Sequence, residues 1–225
     1  MISSKLAIAL TIGTLLMMVP VLILSQWYIV KKWKGILVTI LLTITGTVGT
    51  YILFYIENQR WGGISFYGAV FLVPVVFVLI SLLMRISYGT IMDICAPAEC
   101  MMLAFMKVQC LTSGCCGGRI LFVARNGFQV VFPSQVAEML NGVAIMVILM
   151  GLGYRWSKRG YLYPLYMIIY GITRFVLNFF RQEFAEHTGV LPPYGTIWSI
   201  VAIVIGCVWL WLLRKQTQST DNTSA

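Results

Sequence analysis

Long apolar runs, each closed by a short polar or basic stretch, set the rhythm of this chain. Leu6 to Val30 is relieved only by Ser, Thr, Gln, Gly and similar small interruptions, and ends on Lys31, Lys32 and Lys34. It is too long for a signal-peptide core and has no small-x-small site before its charged end, so it reads as a retained first helix. Pro20 is expected to kink it. Gly35 to Ile56 is a second span, Glu57 to Arg60 a polar turn, and Trp61 an interfacial anchor. Ile64 to Met84 is a third, bounded by Arg85 and entered through the glycine-rich Gly62–Gly68. Met92 to Met106 carries Asp93, Pro97 and Glu99, and predicts a short or broken fourth span inside the bundle. Ile120 to Phe132, with Arg125-Asn126-Gly127 at its middle, predicts a small hairpin. Pro133-Ser134-Gln135 ahead of Glu138 has the form of a helix N-cap and opens a fifth span that runs to Gly153. Tyr161 to Phe180 is the sixth and the Trp-rich Tyr194 to Leu213 the seventh.

Composition agrees with this pattern. The chain is 60% hydrophobic and 10% charged, with mean hydropathy +0.89, against about 45–50% and 25% for an ordinary globular protein. The expected fold is all-α: a polytopic integral membrane protein of about seven transmembrane helices. Residues 1–215 form one membrane domain, 110–133 a small outer segment, and 216–225 a disordered tail. The alternating segments of about ten residues that mark a barrel are missing. A net charge of +9 reads as membrane-flanking Lys and Arg rather than as a nucleic-acid surface. The basic loops after the first and fifth spans and the basic end of the seventh must share a side. That places the N-terminus outside and the C-terminus in the cytoplasm. One stretch breaks the rule: Lys107 to Arg119, KVQCLTSGCCGGR, falls outside yet carries cations and no acid, as does Arg125 beyond it. Those cations are kept for something other than topology.

Arg174 lies deep in an apolar span, where a cation costs about 2.5–3.5 kcal/mol on insertion scales. It is either half of a structural ion pair with Asp93, Glu99 or Glu138, or a clamp for a phosphate. Tyr170, Arg174 and Asn178 recur every four residues on one helix face, and Arg181 nearly extends the stripe. The six cysteines lack the spacing of a zinc site and no metal is expected. A disulfide from Cys110 to Cys115 or Cys116 stays open. So does a thiolate beside Lys107 and Arg119. Tyr67 is either an acid/base group, an interfacial tyrosine or a donor to a phosphate oxygen. His187 reads as a solvated loop histidine.

Four blocks, taken in order, resemble the prolipoprotein diacylglyceryl transferase family: GGISFYGAV (62–70), MDICAPAECMMLAFMKVQCLTSGCCGGR (92–119), FPSQVAEMLNG (132–142) and YGITRFVLNFFRQ (170–182). The resemblance implies transfer of a diacylglyceryl group from phosphatidylglycerol to the cysteine thiol of a prolipoprotein, in the bacterial cell (inner, cytoplasmic) membrane. It implies no cofactor, and as partners phosphatidylglycerol and a signal peptide with a lipobox cysteine. It makes Tyr67, Tyr170 and Arg174 the catalytic candidates. Lys107, Cys110, Gly114, Cys115, Gly118, Arg119, Glu138, Asn178 and Arg181 become the substrate-binding candidates. Several positions depart from the family pattern: Tyr67 stands for a histidine, Lys107 for an arginine, Cys110 for an asparagine, and Cys115 and Asn178 for glutamates. The segment between Arg119 and Pro133 is also shorter than the family's outer head. A relative that binds anionic phospholipid or a membrane partner without catalysis is the alternative, and a small transporter for an anionic amphiphile a lesser one.

Overall fold

The computed structural model describes residues 4–114, 116–125, 127–156, 159–182 and 193–223, with side chains from Ile8 onward except at 217 and 219–223. Its elements in order are α1 (Ser4–Trp27), α2 (Lys32–Asn58), α3 (Tyr67–Met84), α4 (Tyr88–Ser113), β1 (Ile120–Val123), β2 (Gln129–Val131), α5 (Ser134–Arg155), α6 (Leu162–Asn178) and α7 (Tyr194–Thr223). Five of these helices hold a stretch long and apolar enough to cross a membrane: α1, α2, α3, α5 and α7. The protein is an all-α polytopic membrane protein, with one antiparallel hairpin, β1–β2, among the described residues.

The strongest departure from expectation is α4. It is one unbroken helix of 26 residues that runs through Pro97, where a short or broken span was expected. Every residue from Ile91 to Cys100 is buried. A helix wrapped on all sides sits at the centre of a bundle. α7 is described as far as Thr223. Ser134 is a second correction. It is the first residue of α5 rather than its cap, and its hydroxyl donates to the Cys116 carbonyl at 2.7 Å. Pro20 sits inside an uninterrupted α1.

In lipid, apolar burial gives helices little reason to associate, so close packing and polar contacts must do it. Both are present. Gly49 of α2 and Gly68 of α3 meet backbone to backbone, and a Cβ on either would run into the other's carbonyl. Asp93 of α4 accepts the Gly160 N–H at 2.7 Å and the Leu162 N–H at 2.8 Å, which caps the start of α6. The Tyr163 hydroxyl bonds both Glu99 of α4 and the Val70 carbonyl of α3 at 3.0 Å. At the same end as Asp93, Lys34 donates to the Met84 carbonyl at 2.6 Å, and Arg159 lies 3.6 Å from the centre of the Tyr28 ring. The opposite end carries the hairpin and the gathered cations.

Candidate active site

Glu138 lies just over one turn into α5 and is buried. Three cations reach it. Lys107, from the last turns of α4, is 2.5 Å from Oε2, and Arg181, beyond the end of α6, donates to Oε1 at 2.9 Å. Arg174, within α6, pairs with Oε2 as well. Each cation is nearly buried itself, with side-chain exposures of 11, 14 and 12% for Lys107, Arg174 and Arg181. Charges so sheltered act on one another through a lower effective dielectric than water's, and the group is strongly interdependent.

The backbone explains how Arg181 arrives there. The chain after α4 turns at Gly114, which takes the left-handed conformation (φ 66°) and closes α4 by donating to the Cys110 carbonyl. Residues 117–119 then pair with 180–182. The Arg119 N–H donates to the Phe180 carbonyl at 2.9 Å, and the Gln182 N–H donates to the Gly117 carbonyl at 3.3 Å. On the other side the Phe132 N–H donates to the Arg119 carbonyl at 3.0 Å. Gly118 is squeezed between these strands: a Cβ there would strike the Phe132 carbonyl. The end of α4, the hairpin and the end of α6 are thereby tied into one corner.

A cavity of about 290 Å³ opens beside this cluster. Lys107, Arg174 and Arg181 line it together with Tyr67, Tyr170 and Glu57. A second cavity of about 240 Å³ lies against α1, α2 and α4 and is largely apolar. The two share Ile64, Phe66, Met106 and Cys110 as a common wall. Tyr67, on the wall of the first cavity, is buried with its hydroxyl 2.7 Å from Ser199 Oγ of α7. Ser199 in turn donates to the Gly195 carbonyl at 2.7 Å. Its single proton is used there, so Tyr67 is the donor to Ser199 and keeps its own oxygen's lone pairs for another group. The Tyr170 ring packs 5.3 Å from Tyr67 and 5.6 Å from Phe66.

Of the residues singled out in the sequence, Tyr67, Lys107, Cys110, Tyr170, Arg174 and Arg181 meet at this cavity, with Glu138 behind the cations. Gly114 and Gly118 shape the corner through their backbones. Arg119 stands aside, its guanidinium 5.7 Å from the Phe180 ring and 3.5 Å from the Phe179 carbonyl. Asn178 faces the start of α7, 3.5 Å from Thr196 Oγ1. Cys115 and His187 lie outside the described residues. Sequence reading missed Glu57 and Ser199. Glu57 accepts a hydrogen bond from Ser65 at 2.8 Å; its signal was an acid at the end of α2 just before the glycine-rich entry. Ser199 had none, since its role depends on how α7 lies against α3. Among the described residues no three metal-ligating side chains come together.

The family model described as prolipoprotein diacylglyceryl transferase matches residues 5–212. A phosphatidylglycerol–prolipoprotein diacylglyceryl transferase of Geobacter sulfurreducens is 28% identical over 165 residues, which covers 69% of this chain and 63% of the relative. The chain therefore spans a little under two thirds of that protein's length. A second such transferase of Clostridium perfringens is 26% identical over 200 residues, or 79% of this chain and 77% of the relative. One of Acinetobacter baumannii is 26% identical over 190 residues, or 75% and 70%.

Proposed function

Because the chain belongs to the prolipoprotein diacylglyceryl transferase family, we propose that it moves the diacylglyceryl group of phosphatidylglycerol onto the cysteine thiol of a prolipoprotein. The observation that carries this reading is the convergence of Lys107, Arg174 and Arg181 on one carboxylate at the wall of a cavity. Three cations face two carboxylates there, Glu138 and Glu57, which leaves one positive charge for one phosphodiester. The neighbouring apolar cavity offers room for acyl chain below the headgroup.

In the reaction, the thiol sulfur forms a bond to the glycerol carbon that carries the phosphate oxygen. That carbon–oxygen bond breaks, and glycerol phosphate leaves with the electron pair. The thiol proton ends on the leaving phosphate. Negative charge grows on the leaving group, and Arg174, Lys107 and Arg181 are placed to meet it; a single preorganised donor of this kind contributes about 10²–10³ in rate. Tyr67, whose own proton goes to Ser199, is set to accept from the thiol and orient it. Tyr170 positions Tyr67 and the lipid through ring contacts.

The same reading places α4 and α6 across the bilayer with the other five helices. Lys31, Lys32, Lys34, Arg85, Arg155, Arg159, Arg214 and Lys215 gather at one end of the seven. The positive-inside rule assigns that end to the cytoplasm and the cation cavity to the outer side of a bacterial cell membrane. A specific feature favours a second reading. Tyr67 stands where a histidine is usual in the family, and its hydroxyl is already bonded to Ser199. A relative that holds anionic phospholipid without turning it over fits this equally.

Mass spectrometry decides between them. A lipobox peptide is incubated with the purified protein and phosphatidylglycerol. Addition of a diacylglyceryl mass to the peptide cysteine is the expected result. Lipid that co-purifies with the protein while the peptide stays unmodified, beside an active control enzyme, replaces the transferase by the binding reading.

A further inference from the structure

The hairpin is apolar on both faces. Ile120 pairs with Val131 and Phe122 with Val130 across a bulge at Leu121. Adjacent strand residues point to opposite faces, so Ile120 and Phe122 do too, and residues 120–123 are all 44–58% exposed. Across the ladder Val131 is 46% exposed. A hairpin in water keeps one polar face, and two strands alone hold together poorly there. Exposed apolar surface of this kind marks a contact with something.

Three observations say what that is. The hairpin hangs between the last turns of α4, where Val108 and Leu111 are exposed, and the first turns of α5, where Leu140 and Val143 are exposed. It thus continues the outward-facing apolar surface of the helices themselves. Arg119 and Arg125 bracket β1, and no acidic residue occurs from Val108 to Ala137. Finally, the outer edge of a two-stranded sheet leaves backbone N–H and C=O groups without ladder partners. Such groups are excluded from the hydrocarbon core but are satisfied by water and headgroups just above it.

We infer that the hairpin lies in the phospholipid headgroup layer. Its apolar side chains dip toward the acyl chains, and Arg119 and Arg125 sit at the lipid phosphates. The backbone pairing of residues 117–119 with 180–182 then fixes the mouth of the cation cavity at headgroup depth. The hairpin acts as a depth gauge for the site, whatever the site does.

The test places a photo-crosslinking benzoylphenylalanine at Phe122, at Ile120 and, as a water-facing control, at Gln218. The full-length protein is reconstituted in vesicles of phosphatidylethanolamine and phosphatidylglycerol and irradiated. Intact-mass spectrometry is expected to show phospholipid adducts at 122 and 120 and none at 218. Adduct yield is expected to fall when phosphatidylglycerol is replaced by neutral phosphatidylcholine. Crosslinks at 122 only to a second copy of the chain would make the hairpin a protein interface and overturn the inference. The absence of lipid adducts at both hairpin positions would put it in water and overturn it too. An unchanged yield in neutral vesicles would remove the role given to the arginines.

Discussion

Asp93 and Glu138 are both buried carboxylates in a membrane bundle, at opposite ends of it, and they are held in different ways. Asp93 is bound by two backbone N–H groups at the start of α6. Those donors belong to the backbone and have no side-chain torsions to swing on, so Asp93 is a fixed cap. Glu138 is bound by the tips of three long side chains from two helices and a loop corner. Such tips can pivot about their side-chain torsions toward an incoming anion. The donors, more than the burial, separate a structural carboxylate from one that organises a site.

Four substitutions test this contrast. Glu138→Gln removes the charge on which three cations converge. It is expected to cost about 3–5 kcal/mol of stability, the range for breaking a buried ion pair. Inorganic phosphate is expected to recover part of the lost melting temperature, because the stranded cations take up an anion; a melt insensitive to phosphate would deny that they are displaceable. Arg174→Ala comes next, with transfer expected to fall by about 100-fold or more while the solubilised protein still melts cooperatively. Full activity in a peptide-lipidation assay would remove Arg174 from the site. Asp93→Asn is expected to lower stability by about 1–3 kcal/mol, the cost of an imperfectly satisfied buried pair of donors. Phosphate should recover none of it, and turnover per folded molecule should not change. If turnover collapses instead, the two carboxylates are not of different kinds. Lys34→Ala is the mildest. Loss of its bond to the Met84 carbonyl at the end of α3 should cost about 0.3–1 kcal/mol in a melt, with no effect on transfer.

Local features of this molecule were legible in the sequence wherever one helix or one turn decides them. Tyr170 and Arg174 are four residues apart and do line one cavity. The Arg125-Asn126-Gly127 signal does mark a hairpin. Of three carboxylates offered as a partner for Arg174, the structure selects Glu138; Asp93 and Glu99 are used by backbone and by Tyr163. Local pattern and final geometry part where distant segments compete. Ser134 looks like a cap until the turn after α4 brings the Cys116 carbonyl within reach of its hydroxyl. Asn178 continues the polar stripe by count, but the start of α7 draws it off. Arg119 shares the basic stretch with Lys107, but pairing of its own backbone with Phe180 turns its side chain away from the cluster. Pro97 reads as a break in a lone helix and is absorbed in one surrounded by others.

The corner at Gly118 also imposes an order on synthesis. The chain is made and inserted from its N-terminus, so Lys107 and Glu138 are in place well before Arg174 and Arg181 leave the ribosome. Until residues 180–182 arrive to pair with 117–119, the cavity has no wall on that side and Glu138 has a single cationic partner. Half-made chains therefore carry no competent pocket. The site comes into existence late and all at once, when the sixth helix docks.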